Sequence, residues 1–427
     1  MKEILQRIEG ALGGRYAAAE LESIKKALCL EYLGISAVSF YTKEKVSIDT
    51  VKLDEALARL AAGEPLQYVI GSTPFCGLTF KVDSRVLIPR PETAELVEWV
   101  AQDAAPGGSL LDVGTGSGCI AVILARRLPG WKVQGWDISD GALEVARENN
   151  TLNGTDVEFR KVDILNAEPD CRFNVIVSNP PYVLESEKAQ MEDTVLEHEP
   201  HTALFVPDSD PLLFYRAIAE YGKKALLSGG TLYFEINPLE ASALKAMLEQ
   251  WGYHNVELRS DIFGKLRMIK AYTMTESEGK TLAERYCSGA EHCCSEVRAM
   301  LERHGAEKPD IESILKHLVK EGYVDEGRYA RALVHDKVRF AKWGRVKIAQ
   351  ALWQKRIPGA VADEAMAGID EDEYMSALRE VVKSRLRLTK GATDYERRMK
   401  TMKSVCSRGY EPALVRKVLD LQDSFDD

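Results

Sequence analysis

Residues 109–118 read Ser109, Leu110, Leu111, Asp112, Val113, Gly114, Thr115, Gly116, Ser117 and Gly118. The first half is apolar around one acid and predicts a buried strand, and the second half predicts a glycine-rich turn that opens a helix from Cys119 to Leu128. Glycine lets the backbone approach a ligand closely, and a helix N-terminus favours a carboxylate or phosphate. This order of elements indicates an α/β domain with a nucleotide site at Gly114 to Gly118.

The next strand and the residues around it indicate which class of nucleotide the site binds. Lys132 to Trp136 predicts a second strand, and Asp137 follows it, roughly twenty residues past the last glycine, where a carboxylate would hydrogen-bond ribose hydroxyls. The dinucleotide-binding motif has Gly or Ala at the position that Cys119 occupies in this chain. The glycine spacing matches instead the loop of Rossmann-like S-adenosylmethionine-dependent methyltransferases. S-adenosylmethionine is therefore the predicted cofactor.

A second signature follows the buried run Phe173 to Val177. It consists of Asn179, Pro180, Pro181 and Tyr182. An amide or ring nitrogen is a poor nucleophile because its lone pair is delocalised, so both of its N–H groups need fixed acceptors. The Asn179 side-chain carbonyl and the Pro180 backbone carbonyl can each accept one N–H, Pro181 stiffens the turn, and Tyr182 offers a face for stacking. Together the two signatures predict methyl transfer to a planar nitrogen, with ordinary turns as the alternative.

Longer motifs extend both signatures. Residues 64–71 read Glu64, Pro65, Leu66, Gln67, Tyr68, Val69, Ile70 and Gly71, and residues 86–93 read Val86, Leu87, Ile88, Pro89, Arg90, Pro91, Glu92 and Thr93. With Glu199, Pro200, Glu235 and Ile236, they resemble the release-factor glutamine methyltransferase family over roughly residues 1 to 275.

The resemblance implies an activity and a set of site residues. The family methylates N5 of the glutamine in the Gly-Gly-Gln motif of peptide-chain release factors, which would be the protein partners. By this resemblance Gly114 to Gly118, Asp137, Ile164 and Asn179 would line the methyl-donor site. Asn179 to Tyr182 would form the glutamine site. No metal is expected there.

A DNA N-methyltransferase is the alternative enzyme, because such enzymes use a similar Asn/Asp-Pro-Pro-aromatic element on a flipped base. DNA binding needs a basic cleft. Residues 1–280 carry 29 Lys and Arg against 41 Asp and Glu, a net charge of −12, and residues 185–199 are acidic. This charge opposes phosphate binding and favours a protein substrate.

Length predicts more than one domain, since 427 residues exceed an ordinary single domain. Residues 1–74 show apolar residues at helical spacing, as in Ile4, Ile8 and Leu12, and predict a helical domain, to which the resemblance gives a substrate-binding role. Residues 75–274 would form the methyltransferase domain, beginning with a hairpin from Phe75 to Ile88. The polar stretch from Thr273 to Lys280 predicts a linker.

Residues 281–427 have helical periodicity throughout and contain a repeat. Ile314 to Leu333 is similar to Met399 to Leu419, with a fainter copy from Ile348 to Ile357. Each copy predicts two helices around a tight turn, and the Gly-Tyr turns at Tyr323 and Tyr410 predict a tyrosine in each core.

This part resembles a second family. The residues that carry the resemblance are Glu321, Gly322, Tyr323, Val324, Asp325, Glu326, Arg328, Tyr329, Ala330, Trp343 and Gly344. They resemble RecX proteins, which bind RecA filaments on DNA. RecA and RecA-bound DNA are therefore implied as partners.

A group of cations near Trp343 has two interpretations. The group consists of Lys337, Arg339, Lys342, Arg345 and Lys347. They could contact phosphate or filament, or they could form an ordinary solvated helix face. The corresponding alternatives for the whole C-terminal domain are a RecA-filament regulator and a passive helical module.

The composition indicates where the protein is located and whether it binds a metal ion. No uncharged apolar run approaches the roughly twenty residues needed to span a bilayer, so we expect a cytoplasmic protein without a membrane partner. Eight cysteines lack paired metal-ligand spacing and are expected to be reduced. His292, Cys293 and Cys294 form the one cluster that suggests a metal, but adjacent side chains on a helix point apart.

Overall fold

The computed structural model describes residues 1–423 and divides into two compact units. The first is Met1–Met274 and the second begins at Thr275. Ser424 to Asp427, the end of the predicted domain 281–427, lie outside the described residues. The three predicted domains, 1–74, 75–274 and 281–427, stay a prediction.

The first unit starts with five α-helices, and a short π-helix at Leu28–Tyr32 lies between the second and the third. They are α1 (Lys2–Leu12), α2 (Ala18–Ala27), α3 (Ala37–Thr42), α4 (Thr50–Ala61) and α5 (Leu66–Ile70). The stripes predicted from helical spacing form one core, in which Ile8, Leu12 and Leu53 are fully buried. The predicted N-terminal helical domain is therefore present, and its stripes serve packing.

A short hairpin follows, made of β1 (Ser72–Phe75) and β2 (Leu78–Lys81). Cys76 and Gly77 both have positive φ, 47° and 81°, as a two-residue hairpin turn requires. The predicted hairpin from Phe75 to Ile88 was wrong in extent. The turn pairs Phe75 with Leu78, so the hairpin spans Ser72 to Lys81. At Lys81 the backbone N–H donates to Asn149 Oδ1 at 2.6 Å, and no strand lies between Lys81 and Ile88.

The rest of the first unit is a sheet with helices on both faces. Its elements are α6 (Pro91–Asp103), β3 (Ser109–Val113), α7 (Cys119–Arg127), β4 (Lys132–Asp137), α8 (Asp140–Leu152), β5 (Val157–Lys161), β6 (Phe173–Ser178), β7 (Val183–Leu184), α9 (Asp193–His198), β8 (Phe205–Val206), α10 (Leu213–Ala225), β9 (Leu226–Glu235), α11 (Ala241–Gln250), β10 (His254–Ser260) and β11 (Leu266–Tyr272).

Seven of these strands form one sheet in the order β10-β11-β9-β6-β3-β4-β5. β11 runs antiparallel to both of its neighbours, and the other pairs are parallel. This confirms the predicted Rossmann-like α/β class. The parallel arrangement brings the carboxyl ends of β3, β4 and β6 to one edge, where such folds bind ligands. Both sequence signatures begin at that edge.

The described part of the second unit is entirely helical. Its nine helices are α12 (Glu276–Gly289), α13 (Cys294–Arg303), α14 (Lys308–Lys320), α15 (Glu326–Arg339), α16 (Arg345–Gln354), α17 (Gly359–Ala367), α18 (Glu371–Leu388), α19 (Asp394–Cys406) and α20 (Pro412–Asp423). They confirm the predicted all-α class. No helix in residues 1–423 is both long enough and apolar enough to cross a membrane.

The predicted linker from Thr273 to Lys280 is mostly helix. Thr275 caps α12, because its Oγ1 accepts the N–H of Glu278 at 3.2 Å while Glu278 Oε2 accepts the N–H of Thr275 at 2.9 Å. Such a reciprocal capping box uses polar residues to start a helix. The polar residues that suggested a linker therefore form the N-terminal cap and first turn of a helix.

The predicted repeat does not coincide with the groups of helices that pack together. The segment Ile314 to Leu333 joins α14 to α15, whose apolar faces belong to two separate cores, whereas α19 and α20 share one core. The tyrosines also differ. Tyr410 is 1% exposed as predicted, but Tyr323 is 36% exposed, because the neighbouring Val324 takes the buried place.

Candidate active site

The glycine turn wraps over the end of β4. The N–H groups of Gly114 and Thr115 donate to the Trp136 carbonyl at 2.8 and 2.9 Å. Gly114, Gly116 and Gly118 all have positive φ, between 54° and 78°, where a side chain is strained. A Cβ added at Gly118 would also lie 3.1 Å from the Cβ of Ala146. The glycines are thus required by the turn itself, before any ligand is considered.

Asp112 anchors the turn from below. Its Oδ2 accepts the hydroxyl of Thr115 at 2.6 Å and the N–H of Ala121 at 3.3 Å. The side chain is fully buried, and this burial raises the pKa of Asp112 to about 7. Thr115 is buried and supports the turn from behind through its hydrogen bond to Asp112, and the Ser117 side chain is buried as well.

Asp137 ties the turn to the start of α8. Its Oδ2 accepts the N–H of Gly116 and its Oδ1 accepts the N–H of Ser139, both at 2.9 Å. Burial raises the pKa of Asp137, while the backbone N–H groups it accepts oppose that rise. Each carboxylate oxygen still has a second lone pair for a ribose hydroxyl.

Asn179 is oriented by a chain of hydrogen bonds that ends at Glu235. The Asn179 Nδ2 donates to Thr93 Oγ1 at 3.2 Å, and that hydroxyl donates to Glu235 Oε2 at 2.6 Å. The Tyr182 hydroxyl donates to Glu235 Oε1 at 3.0 Å. With Glu235 ionised, Thr93 must give its proton to the carboxylate and can only accept from Asn179. The Asn179 carbonyl oxygen is thereby turned away from Thr93 and is available as an acceptor.

Glu235 lies fully buried at the end of β9, and this burial raises its pKa. The hydroxyls of Thr93 and Tyr182 oppose that rise by stabilising the carboxylate. Glu235 does not line the cavity that is described below. It therefore acts on the site through Thr93 and Tyr182.

A cavity of about 560 Å³ brings most of the predicted residues together. Its wall includes Gly114, Gly116, Asp137, Ile164, Asn179, Pro180 and Pro181. Its size is typical of a cofactor site. Backbone at the two glycines and a carboxylate at Asp137 fit a nucleoside-containing ligand such as S-adenosylmethionine.

Four predicted residues lie outside this wall. They are Thr115, Ser117, Gly118 and Tyr182. The Tyr182 ring packs against the core and its hydroxyl is engaged by Glu235, so the predicted stacking face does not line the cavity. Phe205 and Phe214 line it instead.

Sequence reasoning missed several residues of the site. Arg85 and Asp163 line the cavity, and Thr93 and Glu235 support it from behind. Glu235 had a recognisable signal, because it is one acid at the end of the apolar run Leu232 to Ile236. A carboxylate in a buried strand needs hydrogen-bond partners, and here they are residues of the site.

A buried ion pair lies next to one residue of the cavity wall. Glu199, whose side chain is 1% exposed, accepts Arg90 Nη2 at 2.6 Å and the N–H of Ile88 at 3.3 Å. It joins the loop before α6 to the chain segment that follows Tyr182. Pro200, the next residue, lines the cavity.

In the second unit most of the predicted cationic group is already paired. Arg345 contacts Glu371 and Glu411, Lys342 contacts Glu380, and Arg339 lies 3.7 Å from Glu373. Lys337 and Lys347 lie 4.9 and 4.2 Å from the centre of the Trp343 ring. Within residues 1–423 these two lysines have no carboxylate partner, so they are the cations of the group best placed for an external anion.

The histidine and cysteine cluster is engaged in packing. His292 Nδ1 lies 2.9 Å from Glu296 Oε2, and its ring stacks on Tyr286 at 3.8 Å between ring centres. Cys293 is fully buried. In the described part of the chain, no three His, Cys, Asp or Glu side chains converge as a metal site would require.

Family models match both units. The model described as the methyltransferase small domain matches residues 91–201. Models described as the second and third three-helix domains of RecX match residues 325–366 and 371–419. These last two ranges correspond to helices α15 to α17 and α18 to α20.

Whole proteins with curated names are similar to the first unit. A release factor glutamine methyltransferase of Bacteroides thetaiotaomicron is 44% identical over 276 residues, which cover 64% of this chain and 99% of that protein. One of Flavobacterium psychrophilum is 42% identical over 269 residues, which cover 61% of this chain and 94% of that protein.

Solved structures give weaker similarities. A methyltransferase of Pyrococcus furiosus has a TM-score of 0.36 at 17% identity and covers 52% of this chain and 96% of its own. RecX of Lactobacillus salivarius has a TM-score of 0.33 at 17% identity and covers 35% of this chain and 96% of its own.

Proposed function

The chain belongs to the release factor glutamine methyltransferase family, and on that premise we propose that it methylates N5 of the glutamine in the Gly-Gly-Gln motif of peptide-chain release factors. The predicted enzyme class and the predicted cofactor, S-adenosylmethionine, are confirmed by these relatives. The observation that carries the proposal is the fixed amide of Asn179, held by Thr93 and Glu235 beside Pro180 on the wall of the cavity.

When bound, S-adenosylmethionine supplies a methyl group on a positively charged sulfur. The backbone at Gly114 and Gly116 would allow close approach, and Asp137 would accept hydrogen bonds from ribose hydroxyls. Ile164 lies on the same wall and would pack against the cofactor.

Asn179 and Pro180 hold the acceptor. The Asn179 side-chain carbonyl and the Pro180 backbone carbonyl would each accept one N–H of the substrate carboxamide, which fixes its nitrogen in front of the methyl group. As the C–N bond forms, the bond from the methyl carbon to the donor sulfur would break and leave a neutral thioether. Positive charge develops on the nitrogen, and the two carbonyl dipoles stabilise it. The nitrogen then loses one proton to solvent. No strong base is required, which agrees with a carboxylate at Glu235 that acts only through hydroxyl groups.

The proposal is tested with the full-length protein and S-adenosylmethionine labelled on its methyl group. Three acceptors are compared: a release factor, the same factor with the motif glutamine changed to alanine, and duplex DNA. Label on the unaltered factor alone is expected. Label on DNA would support the DNA N-methyltransferase alternative, and equal label on both forms of the factor would exclude the motif glutamine as the acceptor.

For the C-terminal unit we propose binding to RecA filaments on single-stranded DNA. The support is the match of residues 325–419 to two RecX domains and the pair of lysines on either side of Trp343. Cations without a carboxylate partner can contact a phosphate or an acidic side chain, and such contacts weaken as salt rises. A passive helical module would show neither binding nor salt dependence.

This second proposal has a direct test. Binding of the full-length protein to RecA-coated single-stranded DNA is measured over a range of salt concentrations, with Lys337→Gln/Lys347→Gln as the variant and Lys320→Gln as the exposed control. The double variant should bind about tenfold more weakly and with a shallower salt dependence. Absence of binding by the unaltered protein would favour the passive module.

A cytoplasmic location follows from the first proposal. Release factors act in translation termination, so an enzyme that modifies them must share their compartment. Fractionation of cells that produce the tagged protein would test this, and recovery outside the cytosolic fraction would contradict it.

A further inference from the structure

Two loops at the end of β9 expose large apolar side chains. Leu239 is 72% exposed, Ile262 78% and Phe263 76%. Leu239 follows β9 within four residues, and the loop that carries Ile262 and Phe263 joins β10 to β11. We call these three side chains the apolar rim. Single exposed apolar residues are common, but several on neighbouring loops suggest a contact surface.

Both loops are close to the same strand end. The N–H of Ile236 donates to the Arg267 carbonyl at 2.8 Å, which pairs the start of β11 with the residue after Glu235. The loop between β10 and β11 therefore lies beside the turn that carries Leu239. Both loops leave the sheet at the edge that holds the glutamine site.

Each loop is also bonded to the glutamine site. Asn237 Nδ2 donates to the Tyr182 carbonyl at 3.2 Å, while its Oδ1 accepts the N–H of Leu239 at 3.0 Å. The N–H of Ile262 donates to Glu95 Oε1 at 3.2 Å, and Glu95 lies two residues after Thr93 on α6. The rim is thus connected through one side chain to Tyr182 and through one helix turn to the residue that orients Asn179.

The backbone of the loop that carries Ile262 and Phe263 is held by hydrogen bonds to one buried carboxylate. Asp261 is buried, and its Oδ1 accepts the N–H groups of Phe263 and Lys265, both at 2.9 Å. Its Oδ2 accepts Arg267 Nε at 3.3 Å. A loop backbone that is already fixed loses little further conformational entropy on contact, which suits a binding surface.

From this placement we propose that the apolar rim is a docking surface for the release factor, and that it contacts an apolar patch of the folded domain around the Gly-Gly-Gln loop. The inference rests on the proposed function. A glutamine that reaches Asn179 from a folded protein brings that protein's surface against the edge of the cavity. Both loops of the rim leave the sheet at this edge and are hydrogen-bonded to residues beside Asn179 and Thr93, so the protein substrate is the occupant we assign to the rim.

The test compares Ile262→Ser/Phe263→Ser with the unaltered full-length protein. A second variant, Leu239→Ser, keeps the Asn237 contacts because these use backbone and side-chain atoms that remain. The control is Leu152→Ser, which removes a side chain that is 51% exposed at the end of α8 remote from the site. Two acceptors are used: an intact release factor and a short peptide that contains Gly-Gly-Gln.

The rim variants should raise the KM for the intact factor about tenfold, with kcat and the Kd for S-adenosylmethionine unchanged, and the control should match the unaltered protein. An unchanged KM for the factor, or an equal rise for peptide and factor, would overturn the docking proposal. If the peptide is not a substrate, the KM and kcat for the factor decide alone. Failure of the unaltered protein to methylate the factor would instead refute the proposed function.

Discussion

Replacing Thr93 with valine removes one hydroxyl group and nearly preserves the shape of the side chain. In the structure this hydroxyl accepts from Asn179 Nδ2 at 3.2 Å and donates to Glu235 Oε2 at 2.6 Å. Valine can do neither. The Asn179 amide should then lose its preferred orientation, so that its carbonyl oxygen faces the substrate for only part of the time.

The size of the effect follows from the bonds that are lost. The orientation of Asn179 depends on its neutral hydrogen bond to Thr93, and such a bond contributes about 0.5 to 1.5 kcal/mol, which corresponds to roughly a two- to twelvefold change in rate. We therefore expect Thr93→Val to lower kcat about tenfold. Asn179→Ala removes the acceptor itself and should lower kcat by about 10² to 10³, the range seen when one group that stabilises developing charge is deleted. Thr93→Ser keeps the hydroxyl and should stay within about twofold of the unaltered enzyme.

The assay is single-turnover transfer of labelled methyl groups to a release factor at saturating S-adenosylmethionine. The Kd for S-adenosylmethionine is measured by calorimetry and should be unchanged in the two Thr93 variants, since Thr93 does not line the cavity. An unchanged kcat in the valine variant would refute the role of Thr93. So would a serine variant as slow as the valine variant, because the hydroxyl would then not be the group that matters.

Three further predictions concern stability and cofactor binding. The raised pKa of Asp112, about 7 against an ordinary 3.8, means that the folded protein holds this proton more tightly, so stability relative to Asp112→Asn should fall by up to roughly 4 kcal/mol as pH rises from about 4 to about 7. Urea unfolding across that range checks this, and parallel pH profiles would contradict it. Arg90→Ala should cost roughly 3 kcal/mol because it leaves the buried Glu199 unpaired, and Glu199→Gln added to it should restore part of the loss. A single variant within about 0.5 kcal/mol of the unaltered protein in denaturant would argue against this ion pair. Gly116→Ala and Gly118→Ala should each destabilise by about 1 to 2 kcal/mol because of positive φ, but only Gly116 lines the cavity, so calorimetry should show weaker S-adenosylmethionine binding, by about tenfold, in that variant alone. Equal loss of affinity in both would contradict the geometry.

The parts of the fold that could be predicted from sequence are those whose cause is local. The strand at Ser109 to Val113 has the predicted bounds, because an apolar run that ends in glycine has few other ways to fold. The helical stripe at Ile4, Ile8 and Leu12 is buried for the same reason. The residues that face the cavity at Gly114 and Asn179 also follow from contiguous motifs.

The contacts that support the site could not be predicted in this way. Thr93 and Glu235 are separated by 142 positions, and Arg90 and Glu199 by 109. Such partners are set by the order of strands in the sheet, which a single sequence does not specify. The orientation of the Tyr182 ring could not be predicted either, because its hydroxyl donates to Glu235, which is distant in sequence.

The second unit shows a similar limit. Similar Gly-Tyr turns follow α14 and α19, yet one tyrosine is exposed and the other buried. The turn sequence determines the backbone, but the neighbouring helices decide which side chain enters a core. The pairing within the cationic group has the same cause, since the partners of Arg345 are Glu371 on α18 and Glu411 just before α20.

The central claim is that the Asn179 side-chain carbonyl and the Pro180 backbone carbonyl together hold the two N–H groups of a glutamine carboxamide. A crystal structure with S-adenosylhomocysteine and a peptide containing Gly-Gly-Gln tests it most directly. The account predicts that both oxygens lie about 3 Å from the carboxamide nitrogen, with that nitrogen facing the sulfur. A carboxamide bound elsewhere, with Asn179 and Pro180 in contact only with solvent, would contradict it.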